Sequence, residues 1–185
     1  MRMLEMFAQH CDISNYFKAK GWKVDSIGLY GRSTIKKDVM EIMPGDLPYY
    51  DFVWSSPPCE RFSRLSYLYK NRNEEKDKEA IALHAHGVEI VEQIDPELLI
   101  IENPVGKLRE MSFMQKYYRY TINQSDYGLN HKKPTDLFSN SACLAFNRVS
   151  QNSYIPFEYS VKKFRSRYPS DLVEYVYNLV VKTLN

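Results

Sequence analysis

The chain has 185 residues, and at roughly 100–200 residues per domain this predicts one domain, residues 1–185, around a single core. Hydrophobic residues at 44% and charged residues at 26% exclude wholesale disorder, a collagen-like repeat and a small disulfide scaffold. Lys+Arg 25 against Asp+Glu 23 leaves a formal charge of +2, which excludes a grip on nucleic acid by bulk charge, so any basic surface must be local.

Leu4 to Ala8 is a short apolar run, followed by Asp12 or Ser14 as the cap of a helix that ends near Lys20-Gly21. Trp22 to Ile27, Tyr50 to Ser55 and Glu97 to Ile101 predict three further strands. Asn73 to Ile94 is rich in helix formers, with Ile81, Ala85, Val88 and Val91 along one face, and Asp95-Pro96 stops it. Near-continuous apolar strands separated by helices predict right-handed crossovers and a mostly parallel α/β sandwich. After Pro104, Tyr117 to Ile122 and Leu137 to Ser139 predict antiparallel strands at the sheet edge. Pro169-Ser170-Asp171 starts a final helix, whose Leu172, Val176, Leu179, Val180 and Thr183 are spaced to pack on the sheet.

The three cysteines, Cys11, Cys59 and Cys143, form no CxxC and suit a reducing cytosol. Cys143, within the apolar stretch Ala142 to Phe146, reads as core. The start of the chain lacks the apolar stretch of a signal peptide, and no run reaches the roughly 18 apolar residues of a membrane span, so a cytoplasmic location is expected. His10-Cys11-Asp12 lacks metal-ligand spacing, and no metal is expected there. His84 and His86, two apart on a helix, cannot share one face and read as packing or surface residues.

Two motifs carry chemistry. Ser55-Ser56-Pro57-Pro58-Cys59 follows an expected buried strand, and its prolines restrict the backbone so that the thiol is held in one place. Ile101-Glu102-Asn103-Pro104 repeats the arrangement at the end of the next strand with a carboxyl. Alone, a cysteine is usually a small buried hydrophobe and a glutamate after a strand is usually solvated. In a parallel sheet, however, ligands bind at the carboxyl ends of the strands, so Cys59 and Glu102 are expected to share a cleft.

Together the two motifs resemble the hallmark pair of the DNA cytosine-5 methyltransferase family, especially its short phage-type members. Leu4 to Ala8 with Ile13-Ser14-Asn15 and Phe17 to Trp22 resembles that family's opening strand and helix. Asp51 to Cys59 resembles its nucleophile strand, and Asp126-Tyr127-Gly128 with Lys132 to Thr135 resembles a later segment of the phage-type members. The resemblance implies a Rossmann-like, methyltransferase-type sheet, and C5 methylation of cytosine in DNA from S-adenosylmethionine. Cys59 would add to C6, and Glu102 would meet the N3 and amine edge of a base flipped out of its stack. Ser56, Pro57, Pro58, Asn103, Pro104 and Thr135 would line the substrate site. Lys133, Arg165 or Arg167 would supply a cation near the base, with phosphate contact or plain solvation as the alternatives. Phe7, Asp38 and Ser55 would meet the cofactor.

The sequence also departs from the family. Phe7-Ala8-Gln9-His10-Cys11-Asp12 has no glycine where members carry a glycine-rich turn, and Ser26 to Tyr30 has no carboxylate to hold ribose hydroxyls. The family's Asn-rich cofactor-closing motif near the C-terminus is not apparent. The stretch from Ser139 to Arg167 is too short for a large target-recognition domain, so sequence selectivity is expected to be low or supplied by a protein partner. Two alternatives stay open: C5 modification with another one-carbon donor, of hydroxymethyl type, on DNA or a cytosine nucleotide, and an inactive homologue that binds nucleic acid or protein.

Overall fold

The computed structural model describes residues 1–43, 45–63, 73–146 and 167–185. Four strands run parallel, β1 (Arg2–Met6), β2 (Lys23–Ile27), β3 (Phe52–Ser55) and β4 (Leu98–Pro104). Strands β5 (Tyr118–Asn123) and β6 (Pro134–Ser139) complete the sheet in the order β2-β1-β3-β4-β6-β5, with β6 antiparallel to both β4 and β5. Among the described residues the α-helices are α1 (Asp12–Ala19), α2 (Glu74–Ile94) and α3 (Ser170–Leu184). The mostly parallel sheet with antiparallel strands toward the C-terminal part is therefore the architecture expected from the sequence.

Strand periodicity of two divides the core. Met3, Phe52, Trp54, Leu98 and Ile100 face Ile13 and Phe17 of α1 and Leu172, Val176 and Val180 of α3. Leu4, Met6, Val53, Leu99 and Ile101 face Val88, Ile90, Val91 and Ile94 of α2 on the other side. Burying each such side chain stabilises the fold by roughly 1.5–3 kcal/mol, so both strand faces must stay apolar. Among the described residues no helix is long and apolar enough to cross a membrane.

Three local expectations are corrected. Neither Asp12 nor Ser14 caps α1: the N-cap is Cys11, whose side chain makes no capping bond, and Glu5 of β1 accepts the Ser14 amide at 2.8 Å instead. A carboxylate from the neighbouring strand thus satisfies one of the helix's open N–H groups. Cys143 is exposed, because its segment is a loop after β6 in which Leu144 takes the buried position. Ile81 is 39% exposed, and the buried face of α2 is set by His84, Gly87, Val88 and Val91. Asn73 caps α2 by accepting from the Glu75 and Lys76 amides.

Candidate active site

The site lies at the carboxyl ends of the parallel strands. β3 ends at Ser55, and the Ser56 amide still reaches the Met6 carbonyl at 3.2 Å before Pro57 and Pro58 turn the chain. Cys59 then opens a tight turn, its carbonyl accepting from the Phe62 and Ser63 amides at 3.0 and 2.8 Å. β4 carries Glu102 to the same end. The two loops are joined by Asn103 Nδ2, which donates to the Pro57 carbonyl at 3.0 Å, and by the Lys107 amide on the Phe62 carbonyl at 2.7 Å.

Cys59 and Glu102 line one cleft of about 980 Å³, together with Ser56, Pro57, Pro58, Pro104 and Lys133. Glu102 is only 5% exposed. Its Oε2 accepts from the Tyr168 hydroxyl at 2.9 Å and its Oε1 from Gln124 Nε2 at 3.3 Å, while Lys133 Nζ lies 3.9 Å from Oε1. Burial pushes the Cys59 thiol above its ordinary pKa and the Glu102 charge adds to this, while Lys133 opposes both. In the free protein the thiol is therefore held protonated, with a cation at hand to favour the thiolate. The Tyr168 phenol is pushed well up by burial and by Glu102, with the Ser56 hydroxyl opposing.

The other residues singled out in the sequence divide. Asn103 and Thr135 are buried at 1% and 0% and do not line the cleft. Asn103 ties the loops, and Thr135 accepts from Gln124 Nε2 at 3.1 Å and donates to the Lys133 carbonyl at 3.1 Å. Ser55 is also absent from this wall: alternation along β3 turns it to the α2 side, toward a small cavity with Phe7, His84 and Gly87. Arg167 pairs with Asp12 at 3.8 Å instead of lining the cleft, and Arg165 lies outside the described residues. Sequence reading missed Tyr168 and Gln124. The only available signal was a tyrosine directly before the proline that starts α3, and it says nothing about a distant glutamate.

The other half of the cleft is built by the loops after β1 and β2. Phe7 and Cys11 take φ of 60° and 57°, left-handed conformations in which glycine would be relaxed. The loop thus accepts positive φ without glycine, at a cost of roughly 1–3 kcal/mol for each residue. Gly28 allows the two loops to close on each other: a Cβ there would stand 2.1 Å from the Ala8 carbonyl oxygen. The Phe7 ring meets α2 at Gly87, where a Cβ would lie 3.1 Å from the ring. At the mouth, Leu29 and Met40 line the cleft while 52% and 50% exposed, and Asp38 lines it while its Oδ1 accepts from the Met40 amide.

These residues fit an adenosyl group at its adenine end, where exposed apolar side chains and a carboxylate converge. At the ribose end, residues 26–33 include no carboxylate. Among the described residues no group of three or more His, Cys, Asp and Glu is placed to hold a metal ion.

An α/β sheet of this order is also found in solved structures of methyltransferases. A candidate DNA modification methyltransferase encoded within an E. coli prophage superposes with a TM-score of 0.56 at 14% identity, over 75% of this chain and 46% of that one. The S. pombe Dnmt2 methyltransferase superposes with a TM-score of 0.52 at 13% identity, over 75% and 50%. The fold is therefore the methyltransferase fold. In sequence, the chain is 27% identical over 158 residues to a probable DNA (cytosine-5)-methyltransferase of Frog virus 3, covering 75% of this chain and 70% of the viral one. It is 22% identical over 198 residues to the Type II methyltransferase M.FnuDI of Fusobacterium nucleatum, covering 94% and 55%. The family profile for C-5 cytosine-specific DNA methylase matches residues 15–132, and the chain belongs to that family. It spans about half the length of the two solved structures.

Proposed function

We propose that the protein methylates C5 of cytosine in DNA, with Cys59 as the covalent nucleophile, Glu102 as its acid partner and S-adenosylmethionine as the donor. The convergence of Cys59 and Glu102 on one cleft supports this reading most directly. C5 of cytosine is a weak nucleophile, so the Cys59 thiolate first forms a bond to C6 while Glu102 takes up the proton that the thiol releases and delivers it to N3, leaving an enamine that is reactive at C5. Lys133 favours loss of the thiol proton before this step. When bound, S-adenosylmethionine supplies the methyl group to C5. Loss of the C5 proton to solvent then breaks the bond from sulfur to C6, and the N3 proton returns to Glu102. Leu29, Met40 and Phe7 would enclose the adenine, with Asp38 at its edge. A base inside a duplex is out of reach of the thiol, so it must be flipped or unpaired.

The absence of a carboxylate over residues 26–33 favours a second reading, in which another one-carbon donor of hydroxymethyl type modifies C5 in DNA or in a cytosine nucleotide. Mass spectrometry of nucleosides and nucleotides from cells expressing the protein or Cys59→Ala separates the two. The first reading expects 5-methylcytosine that disappears with Cys59→Ala, the second a cytosine adduct of different mass, and no adduct at all would overturn both.

A further inference from the structure

We infer that Tyr168 is a positioning residue for Glu102, holding the carboxyl for the base from a segment that is itself anchored on the loop after β1. The inference rests on the reading of Glu102 as the group that meets cytosine. A glutamate carboxyl turns freely about its last torsion, so presenting a defined edge to a base requires a partner that sets its plane. Of the partners of Glu102 among the described residues, the Tyr168 hydroxyl is the nearest, at 2.9 Å, against 3.3 Å for Gln124 and 3.9 Å for Lys133.

Tyr168 is itself constrained on several sides. Pro169 restricts its backbone, and its amide donates to Asp12 Oδ2 at 3.3 Å. Its ring stands edge-on to Trp54 with centroids 5.5 Å apart, and Lys133 Nζ lies 5.7 Å from its ring centre. Its hydroxyl also interacts with Ser56. Asp12 begins α1 beside the first loop, so one tyrosine spans from the cofactor half of the cleft to the base half. With one oxygen of Glu102 held by the phenol, the carboxyl plane is set and its remaining edge is presented to the N3 and amine edge of the base.

Binding to two single-stranded oligonucleotides tests this, one carrying cytosine between every pair of neighbours and the other with each cytosine replaced by an abasic site. Wild type is expected to prefer the cytosine strand; if it shows no preference, the reading of Glu102 falls and the inference with it. Tyr168→Phe, which keeps the ring, is expected to lose about tenfold of that preference, as for one hydrogen bond to a charged group, with abasic binding unchanged. In the Glu102→Gln background the same substitution is expected to have no further effect. A full preference in Tyr168→Phe, or an equal loss with and without Glu102, would overturn the inference. Should Tyr168→Phe fail to melt cooperatively, Asp12→Ala replaces it, and it must reduce the same preference severalfold for the inference to stand.

Discussion

Asn103 Nδ2 donates to the Pro57 carbonyl across 3.0 Å, and this bond joins the loop that carries Cys59 to the strand that carries Glu102. The residue expected at the substrate therefore acts one layer behind it. Breaking the bond leaves a buried carbonyl unpaired, a cost of about 1–3 kcal/mol. Asn103→Ala is expected to lower the melting temperature and to reduce kcat more than it raises KM. Steady-state kinetics with a melting curve check this, and an unchanged melting temperature would refute the structural role.

The proposed covalent step predicts that wild type forms a stable adduct with 5-fluorocytosine DNA in the presence of S-adenosylmethionine, because fluorine cannot leave as the C5 proton does. Cys59→Ala should form none. Glu102→Gln should still bind DNA but trap about 10²–10⁴ times more slowly, the usual range for losing a positioned acid. Trapping by Cys59→Ala at the wild-type rate would remove Cys59 from the mechanism.

Charge around the thiol makes a separate prediction, readable without substrate. Glu102 raises the Cys59 thiol and Lys133 lowers it. The pH midpoint of iodoacetamide alkylation at Cys59 should therefore fall in Glu102→Gln and rise in Lys133→Gln. Peptide mapping over a pH series measures both, and movement of both midpoints in the same direction would contradict the arrangement.

Restoring the carboxylate after β2 should fail. A Cβ at Gly28 would stand 2.1 Å from the Ala8 carbonyl oxygen, which is backbone and cannot swing aside as a side chain would. Gly28→Asp is expected to part the two loops, to lower stability and to weaken S-adenosylmethionine binding. Calorimetric titration with a melting curve tests this, and a gain in affinity would show that the loops separate at little cost.

Burial lowers His84 from its ordinary 6.5 to about 4, against the opposing bond at 2.7 Å to the Ala80 carbonyl. Its folded pKa lies below its unfolded one, so its contribution is full above about pH 6.5 and is lost as pH falls through about 4. The loss amounts to about 3 kcal/mol at 1.36 kcal/mol per pKa unit. His84→Leu should flatten urea stability over that range.

Strand and helix identity was legible because the runs read as strands are short, a few residues each, whereas the helix-forming stretch before Asp95-Pro96 is long, and each such run became a strand. Cys59 and Glu102 were legible because Cys59 follows Pro58 in the loop after one strand and Glu102 stands two residues before Pro104 toward the end of the next. Ser55 was misplaced relative to Ser56 because a single residue of register exchanges the two faces of a strand. Tyr168 is separated from Glu102 by 66 positions, and nothing local in the chain reveals contacts made at that distance. The backbone of the first loop was also hidden, since Phe7 and Cys11 hold conformations usually signalled by glycine.

The meeting of Phe7 with Gly87 makes two distant positions a single volume. α2 connects the strand of Cys59 to that of Glu102, so bulk added at position 87 would lift the helix and spread the two motifs apart. Such a change would be tolerated only with a smaller residue at position 7, so in other members of the family these two sites should vary as a pair, size traded against size.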